Sequence, residues 1–212
     1  MTPTILLLSN IKFFAQNPTI LGKPFSSYKI AYITTAAKAK VIEDRQYLKK
    51  TEEIFKDMRI DYTEIDIEGK NENELRTILK GYEALYVQGG STLYLMNAIR
   101  TSGFEKVVRE LLDTGVAYIG ASAGAMVCSP TIEVSTWKHP EKFNDVSEDE
   151  LKGMNLVPFL VFVHYTPEYH TIIEKHNGQS NYPVITLTND QAMLFRNGEH
   201  ELLGQNETEI IR

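Results

Sequence analysis

Val116-Ala117-Tyr118-Ile119-Gly120-Ala121-Ser122-Ala123-Gly124-Ala125-Met126-Val127-Cys128 is the stretch from which the fold can be read. It begins as a short apolar run suited to a buried strand and ends in residues compatible with a helix. Between the two stands Gly120-Ala121-Ser122-Ala123-Gly124, a G-x-S-x-G pattern placed at a strand end. A sharp strand-to-helix turn lifts a serine hydroxyl above the sheet edge, and small neighbours tolerate the strained backbone that such a turn requires. The helix amino end also offers unpaired N–H groups to a developing oxyanion. A tight turn used only for packing has the same five letters; the strand before it and the helix after it favour a nucleophile.

Outward from this turn, apolar runs alternate with helical patterns. The runs are Thr4 to Ser9, Lys29 to Thr34, Tyr62 to Ile67, Ala84 to Val87, Leu160 to His164 and Pro183 to Thr188. The helical segments are Val41 to Met58, Glu72 to Leu79, Thr92 to Arg100 and Phe104 to Asp113. Runs that are apolar throughout, such as Ile5 to Leu8, suit a parallel sheet covered on both faces. The pattern predicts an α/β protein, a three-layer α/β/α sandwich around a mostly parallel, doubly wound sheet. After Gln191 the segment AMLF, the dipeptide Asn197-Gly198 and the segment HELLG predict a C-terminal β-hairpin at the sheet edge. No linker or repeat interrupts the chain, so residues 1–212 are read as one domain.

Composition narrows the function. Across 212 residues, 22 Lys and Arg stand against 28 Asp and Glu, a net charge of -6, the wrong sign for a phosphate-backbone partner. Nucleic acid is therefore not expected. The single cysteine, Cys128, excludes an internal disulfide and multi-cysteine metal sites, and it reads as a small buried hydrophobe. No apolar run approaches the roughly 20 residues that span a bilayer, and the start MTPTILLLSN has no basic region before its apolar run. A cytoplasmic protein without a membrane partner is expected.

In a sheet of this kind sites form beyond the carboxyl ends of strands. Gln88-Gly89-Gly90-Ser91-Thr92 follows one such end, where consecutive glycines let backbone approach a ligand and the Gly90 N–H can serve as an oxyanion donor. Ser91 or Thr92 reads equally as a helix N-cap. A serine nucleophile needs a base. Of His139, His164, His170, His176 and His200, only His164 closes a strand, the run Phe159 to Val163. The base needs an orienting partner; Asp190, after the strand Val184 to Leu187, is the choice, although Asn189-Asp190 also reads as a plain turn. Glu148 to Glu150 reads as a solvated helix start, and Trp137 with Lys138 as a lid or a surface loop.

These pieces together resemble the peptidase E and cyanophycinase family of serine peptidases, and within it the aspartyl dipeptidases. The matching segments are Leu6 to Asn10, Gly89 to Thr92, Tyr118 to Ala125, Pro130 to Ile132, His164 to Thr166 and Val184 to Leu187. The resemblance implies a flavodoxin-like sandwich related to class I glutamine amidotransferases, a Ser-His-acid triad and no cofactor or metal. It carries over Ser122 as nucleophile, His164 as base, and the Gly90 and Ala123 amides as oxyanion donors. The family's glutamate after the last parallel strand falls on Asn189, an alternative to Asp190 as third member. A family acidic residue after the Pro130 to Ile132 segment falls near Trp137, where no Asp or Glu stands.

The expected activity is hydrolysis of short peptides with a free N-terminus, Asp-X among them, by a monomer or homodimer. Asp recognition calls for a fixed cation; no Arg lies between Arg109 and Arg196, and Glu133 occupies the place of a basic residue of aspartyl dipeptidases. Lys138, Lys142 and Lys175 are the available substitutes. An esterase or amidase using the same groups, or a ligand-binding homologue without turnover, are the alternatives; a metal enzyme would need His164, His170 and His176 together.

Overall fold

The computed structural model describes residues 3–39, 46–138, 145–204 and 210–211. In chain order the elements are β1 Thr4–Leu8, α1 Ile11–Gln16, β2 Lys29–Ile33, α2 Gln46–Asp57, β3 Asp61–Ile65, α3 Glu72–Ile78, β4 Ala84–Val87, α4 Thr92–Ser102 and α5 Phe104–Asp113. They continue as β5 Ala117–Ala121, α6 Ala123–Met126, α7 Glu148–Leu151, β6 Leu160–Val163, α8 His170–Asn177, β7 Val184–Leu187, β8 Gln191–Arg196, β9 Glu199–Gly204 and β10 Ile210–Ile211.

Seven strands form the main sheet in the order β3-β2-β4-β5-β1-β8-β9. The first five in that order are parallel; β2, β4, β5 and β1 are apolar and buried along most of their length, as a sheet covered on both faces requires, while β3, Asp61 to Ile65, is a largely exposed edge. Ile5 and Leu7 face the core built with α3, α4 and α5, while Leu6 and Leu8 face the opposite core with Phe14 of α1 and Phe55 of α2. The period of two thus assigns Ile5 to Leu8 alternately to one of two buried layers. Asn71 and Ser147 close capping boxes at the starts of α3 and α7, so the acidic run Glu148 to Glu150 opens a helix as read.

The hairpin of β8 and β9 turns at Asn197 and Gly198, both with positive φ (60° and 80°), as a two-residue turn matched to strand twist demands. Its first strand pairs antiparallel with all of β1, from Thr4 opposite Arg196 to Leu8 opposite Ala192. That pairing has a consequence the sequence pattern did not convey. With the open side of β1 taken, β6 and β7 pair with each other in a separate three-stranded sheet, β10-β7-β6. One face of this small sheet joins the main core through Val161, Val163, Ile185 and Leu187. Its other face packs Leu160 and Phe162 against Trp137 and Ile173, so Trp137 is buried core and not a surface lid. No helix among the described residues is long and apolar enough to cross a membrane.

A single hydroxyl stitches the two sheets together. Ser9, buried just past β1, donates to the carbonyl of Leu187 at 2.7 Å and accepts from the backbone N–H of His164 at 3.0 Å. Ser9→Ala leaves that N–H without its acceptor, which costs about 1–3 kcal/mol. At about 2–4 °C per kcal/mol for a chain of this size, the melting temperature should fall by several degrees in a thermal scan; an unchanged value would refute the seam.

Candidate active site

β5 ends level with its neighbours, Leu8 opposite Ala121 on one side and Val87 opposite Gly120 on the other. The loops that follow β1, β4 and β5 therefore converge at one point of the sheet edge. Ser122 occupies the turn between β5 and α6 with φ 52° and ψ -110°, a conformation that side-chain-bearing residues seldom adopt. Its N–H donates to the Leu8 carbonyl at 2.9 Å, and its own carbonyl accepts from Ala125 and Met126, which winds the chain directly into the helix. Close approach explains the small neighbours. A Cβ on Gly124 would stand 2.1 Å from the Val87 carbonyl oxygen, and one on Gly89 would stand 2.9 Å from Ser122 Cβ.

His164 follows β6 and also has positive φ, 56°. This turn swings its ring back across the seam to the main sheet. Nε2 lies 3.0 Å from Ser122 Oγ, and Nδ1 lies 2.7 Å from Asn189 Oδ1. Because an amide oxygen only accepts, Nδ1 carries the proton and Nε2 is left to accept from the serine hydroxyl.

The structure thus places Asn189, not Asp190, behind the histidine. Asp190 points to the other side of the turn, where Lys12 of α1 donates to its Oδ1 at 2.7 Å. Asn189 and Asp190 are the two central residues of a turn closed by the Gln191 N–H on the Thr188 carbonyl at 3.3 Å, and the two side chains leave it toward different partners. Burial holds the His164 pKa below the ordinary 6.5, the Asn189 hydrogen bond opposes that shift, and the charge of Lys138 adds to it.

A cavity of about 350 Å³ opens beside the hydroxyl, lined among others by Gly89, Gly90, Ser122 and His164. Ala123 occupies the first position of α6, where an N–H has no acceptor within its own helix. The wall opposite the histidine was not read from the sequence: Tyr86 and Gln88 of the β4 end, with Tyr47, Lys50 and Thr51 of α2. Its signal was present in Gln88, a polar residue directly before two glycines at a strand end. Ser91 caps α4 by accepting from the Tyr94 N–H at 3.3 Å.

The other candidates are engaged elsewhere. His176 stacks on Trp137 with ring centroids 4.9 Å apart, His170 pairs with Glu174, and His200 packs on Phe159. Among the described residues no cluster of three His, Cys, Asp or Glu side chains could hold a metal ion. Lys138 is enclosed by the rings of Phe162 and Tyr169, Lys175 lies in the last turn of α8, and Glu133 accepts from Ser180. His139 and Lys142 lie outside the described residues. Cys128 is fully buried, its thiol pushed up to about 12 by burial, which rules it out as a nucleophile.

Comparison with known proteins matches residues 7–203 to the model of peptidase family S51. Peptidase E of Nostoc sp. is 32% identical over 193 residues, covering 85% of this chain and 72% of that protein. Peptidase E of Salmonella newport is 26% identical over 183 residues, covering 79% and 73%. Among solved structures, a peptidase from an acI-B1 Actinobacterium has a TM-score of 0.74 at 15% identity, over 100% of this chain and 91% of that one. A protein from Listeria monocytogenes EGD-e reaches 0.81 at 23% identity, over 97% and 100%. At these identities the structures speak for the fold alone.

The ring environment makes a prediction that needs no substrate. Followed by NMR in the free protein, His164 should titrate below 6.5. Asn189→Asp places a carboxylate against Nδ1, which favours the imidazolium and should move the titration upward. A midpoint that stays in place would mean that residue 189 does not govern the ring.

Proposed function

The chain belongs to peptidase family S51, the serine peptidases that include peptidase E, and from that membership we propose a serine peptidase acting through Ser122, His164 and Asn189. The observation that carries the proposal is the relay itself: Oγ, Nε2, Nδ1 and Oδ1 follow one another at 3.0 Å and 2.7 Å, with the peptide-sized cavity at its open end.

The proposed steps follow from this geometry. Nε2 takes the Ser122 proton as Oγ attacks the carbonyl of the substrate's first residue, and the Gly90 and Ala123 amides receive the oxyanion. His164 then gives its proton to the leaving amine, and a water activated by the same ring releases the acyl group. Asn189 orients the ring and selects its tautomer, but as a neutral group it does not offset the imidazolium charge as a carboxylate does. The substrate is a short peptide with a free N-terminus, taken by a single 1–212 unit.

Ser122→Ala and His164→Ala should each lower kcat by about a thousandfold or more on dipeptides, with folding retained. Asn189→Ala should cost far more activity than Asp190→Ala; the reverse order would return the orienting role to Asp190. Intact-mass analysis after a fluorophosphonate should show one adduct at Ser122, and no adduct would remove the nucleophile and leave a binding protein.

A further inference from the structure

The glycine loop after β4 sits in a clamp. On one side it lies against Ser122: a Cβ on Gly89 would stand 2.9 Å from Ser122 Cβ and 3.3 Å from the Ala121 carbonyl oxygen. On the other it lies against the short turn Thr35–Ala39 that follows β2, where a Cβ on Gly90 would stand 2.2 Å from the Ala36 carbonyl oxygen. That same carbonyl accepts from the Ser91 N–H at 3.0 Å. The peptide joining Gly90 to Ser91 therefore takes its orientation from residue 36.

Residue 36 is held in turn by polar groups on both sides of it. Thr35, fully buried, accepts from the Ile67 N–H at 3.0 Å and donates to Asp66 Oδ1 at 2.8 Å. Asp66 also accepts from Lys38 Nζ at 2.8 Å and from the Glu68 N–H at 3.0 Å. Burial pushes the Asp66 pKa up, but the hydrogen bonds from Lys38, the Glu68 N–H and Thr35 outweigh it and hold the carboxyl below its ordinary value. At neutral pH both its oxygens therefore only accept, and the Thr35 hydroxyl must donate. Glu68 extends the network, accepting from Lys38 and from the Tyr94 hydroxyl of α4. Asp66 thus grips the turn at Thr35 and at Lys38, with Ala36 between them. Lys38, Asp66 and Glu68 are each about 40% exposed, so their ion pairs add little stability and serve chiefly to fix a place.

We propose that Thr35 is a positioning residue for the oxyanion site: tied to Asp66 and Ile67, its hydroxyl keeps the Ala36 carbonyl, and through it the Gly90 amide, in register with Ser122. Thr35 touches no reacting atom and acts through Gly90. The role rests on the reading of Gly90 as an oxyanion donor. Such a donor works only where it is already aimed at the developing charge, so a small displacement is felt in the transition state far more than in substrate binding.

The test follows the labelling of Ser122 by a fluorophosphonate, a reaction that develops charge on a phosphoryl oxygen and requires no particular peptide. Its second-order rate constant, unlike its amplitude, does not depend on how much of a preparation is folded. Thr35→Val keeps the side-chain shape and loses the hydroxyl; its rate constant should fall by about tenfold or more. On dipeptides kcat should fall in step while KM stays. Thr35→Ser loses the methyl and keeps the hydroxyl, and should recover most of the rate. By NMR the Gly90 amide resonance should move in Thr35→Val alone, with the His164 titration unchanged in both variants. Equal labelling of the wild-type protein and Thr35→Val, or an equal loss in the two variants, overturns the tether and leaves the peptidase standing. Should Thr35→Val not fold, Lys38→Met carries the test from the exposed side of the network: a fall of about threefold or more supports the role, and an unchanged rate constant overturns it. A wild-type protein that takes no label overturns the peptidase reading and the role with it, a failure distinct from that of the tether.

Discussion

A side-chain-bearing residue held in a sparsely populated backbone region costs about 1–3 kcal/mol and survives only where its surroundings over-determine it. Ser122, at φ 52°, is such a residue, and much of the sheet edge is arranged to hold it. Its N–H is tied to Leu8, its carbonyl starts α6, Gly124 lies against the Val87 carbonyl, and Gly89 lies against its own Cβ. Leu8 belongs to β1, Val87 and Gly89 to β4 and the loop after it, and Ser122 itself follows β5. The parallel register that brings those strands to a common level is therefore a condition for the Ser122 geometry as well as for the core.

His164, the proposed base, arrives by a different route. β6 belongs to the small sheet, so His164 depends on how that sheet sits against β1, and the Ser9 hydroxyl is a buried polar link between the two. Around it the contact is apolar, made by Val161, Val163, Ile185 and Leu187, which fixes closeness but not register. The hydroxyl supplies direction. The separation also places Asn189, at the end of β7, on the far side of the ring, because β6 and β7 run parallel and end together.

Much of this was legible in the residues, for identifiable reasons. Strands buried on both faces read as unbroken apolar runs, Asn197-Gly198 announced its turn, and Gly120 to Gly124 marked the elbow, since each feature is dictated by local chemistry. The division into two sheets was hidden because it is decided by competition for one edge of β1, and a pattern of runs does not record which strand wins. Helix α1 was missed because six residues are too few to show a period. Asp190 was preferred over Asn189 on charge, although what separates them is the direction of two neighbouring side chains.

That last substitution of roles makes physical sense of the turn. Thr188 N–H donates to the Gln191 side chain at 2.9 Å, and Lys12 holds Asp190 from the outside, so residue 189 is presented inward by partners on both sides of it. The Lys12 and Asp190 pair is more than half exposed and adds little stability by itself. Its worth is positional. An amide in the inward place leaves the buried ring neutral over a wider range of pH than a carboxylate would, so Nε2 stays free to accept a proton in mildly acidic conditions. In the proposed mechanism the accompanying cost falls on the transition state, where the imidazolium forms without a neighbouring negative charge. In that mechanism a site built this way trades catalytic strength for a base that is already deprotonated.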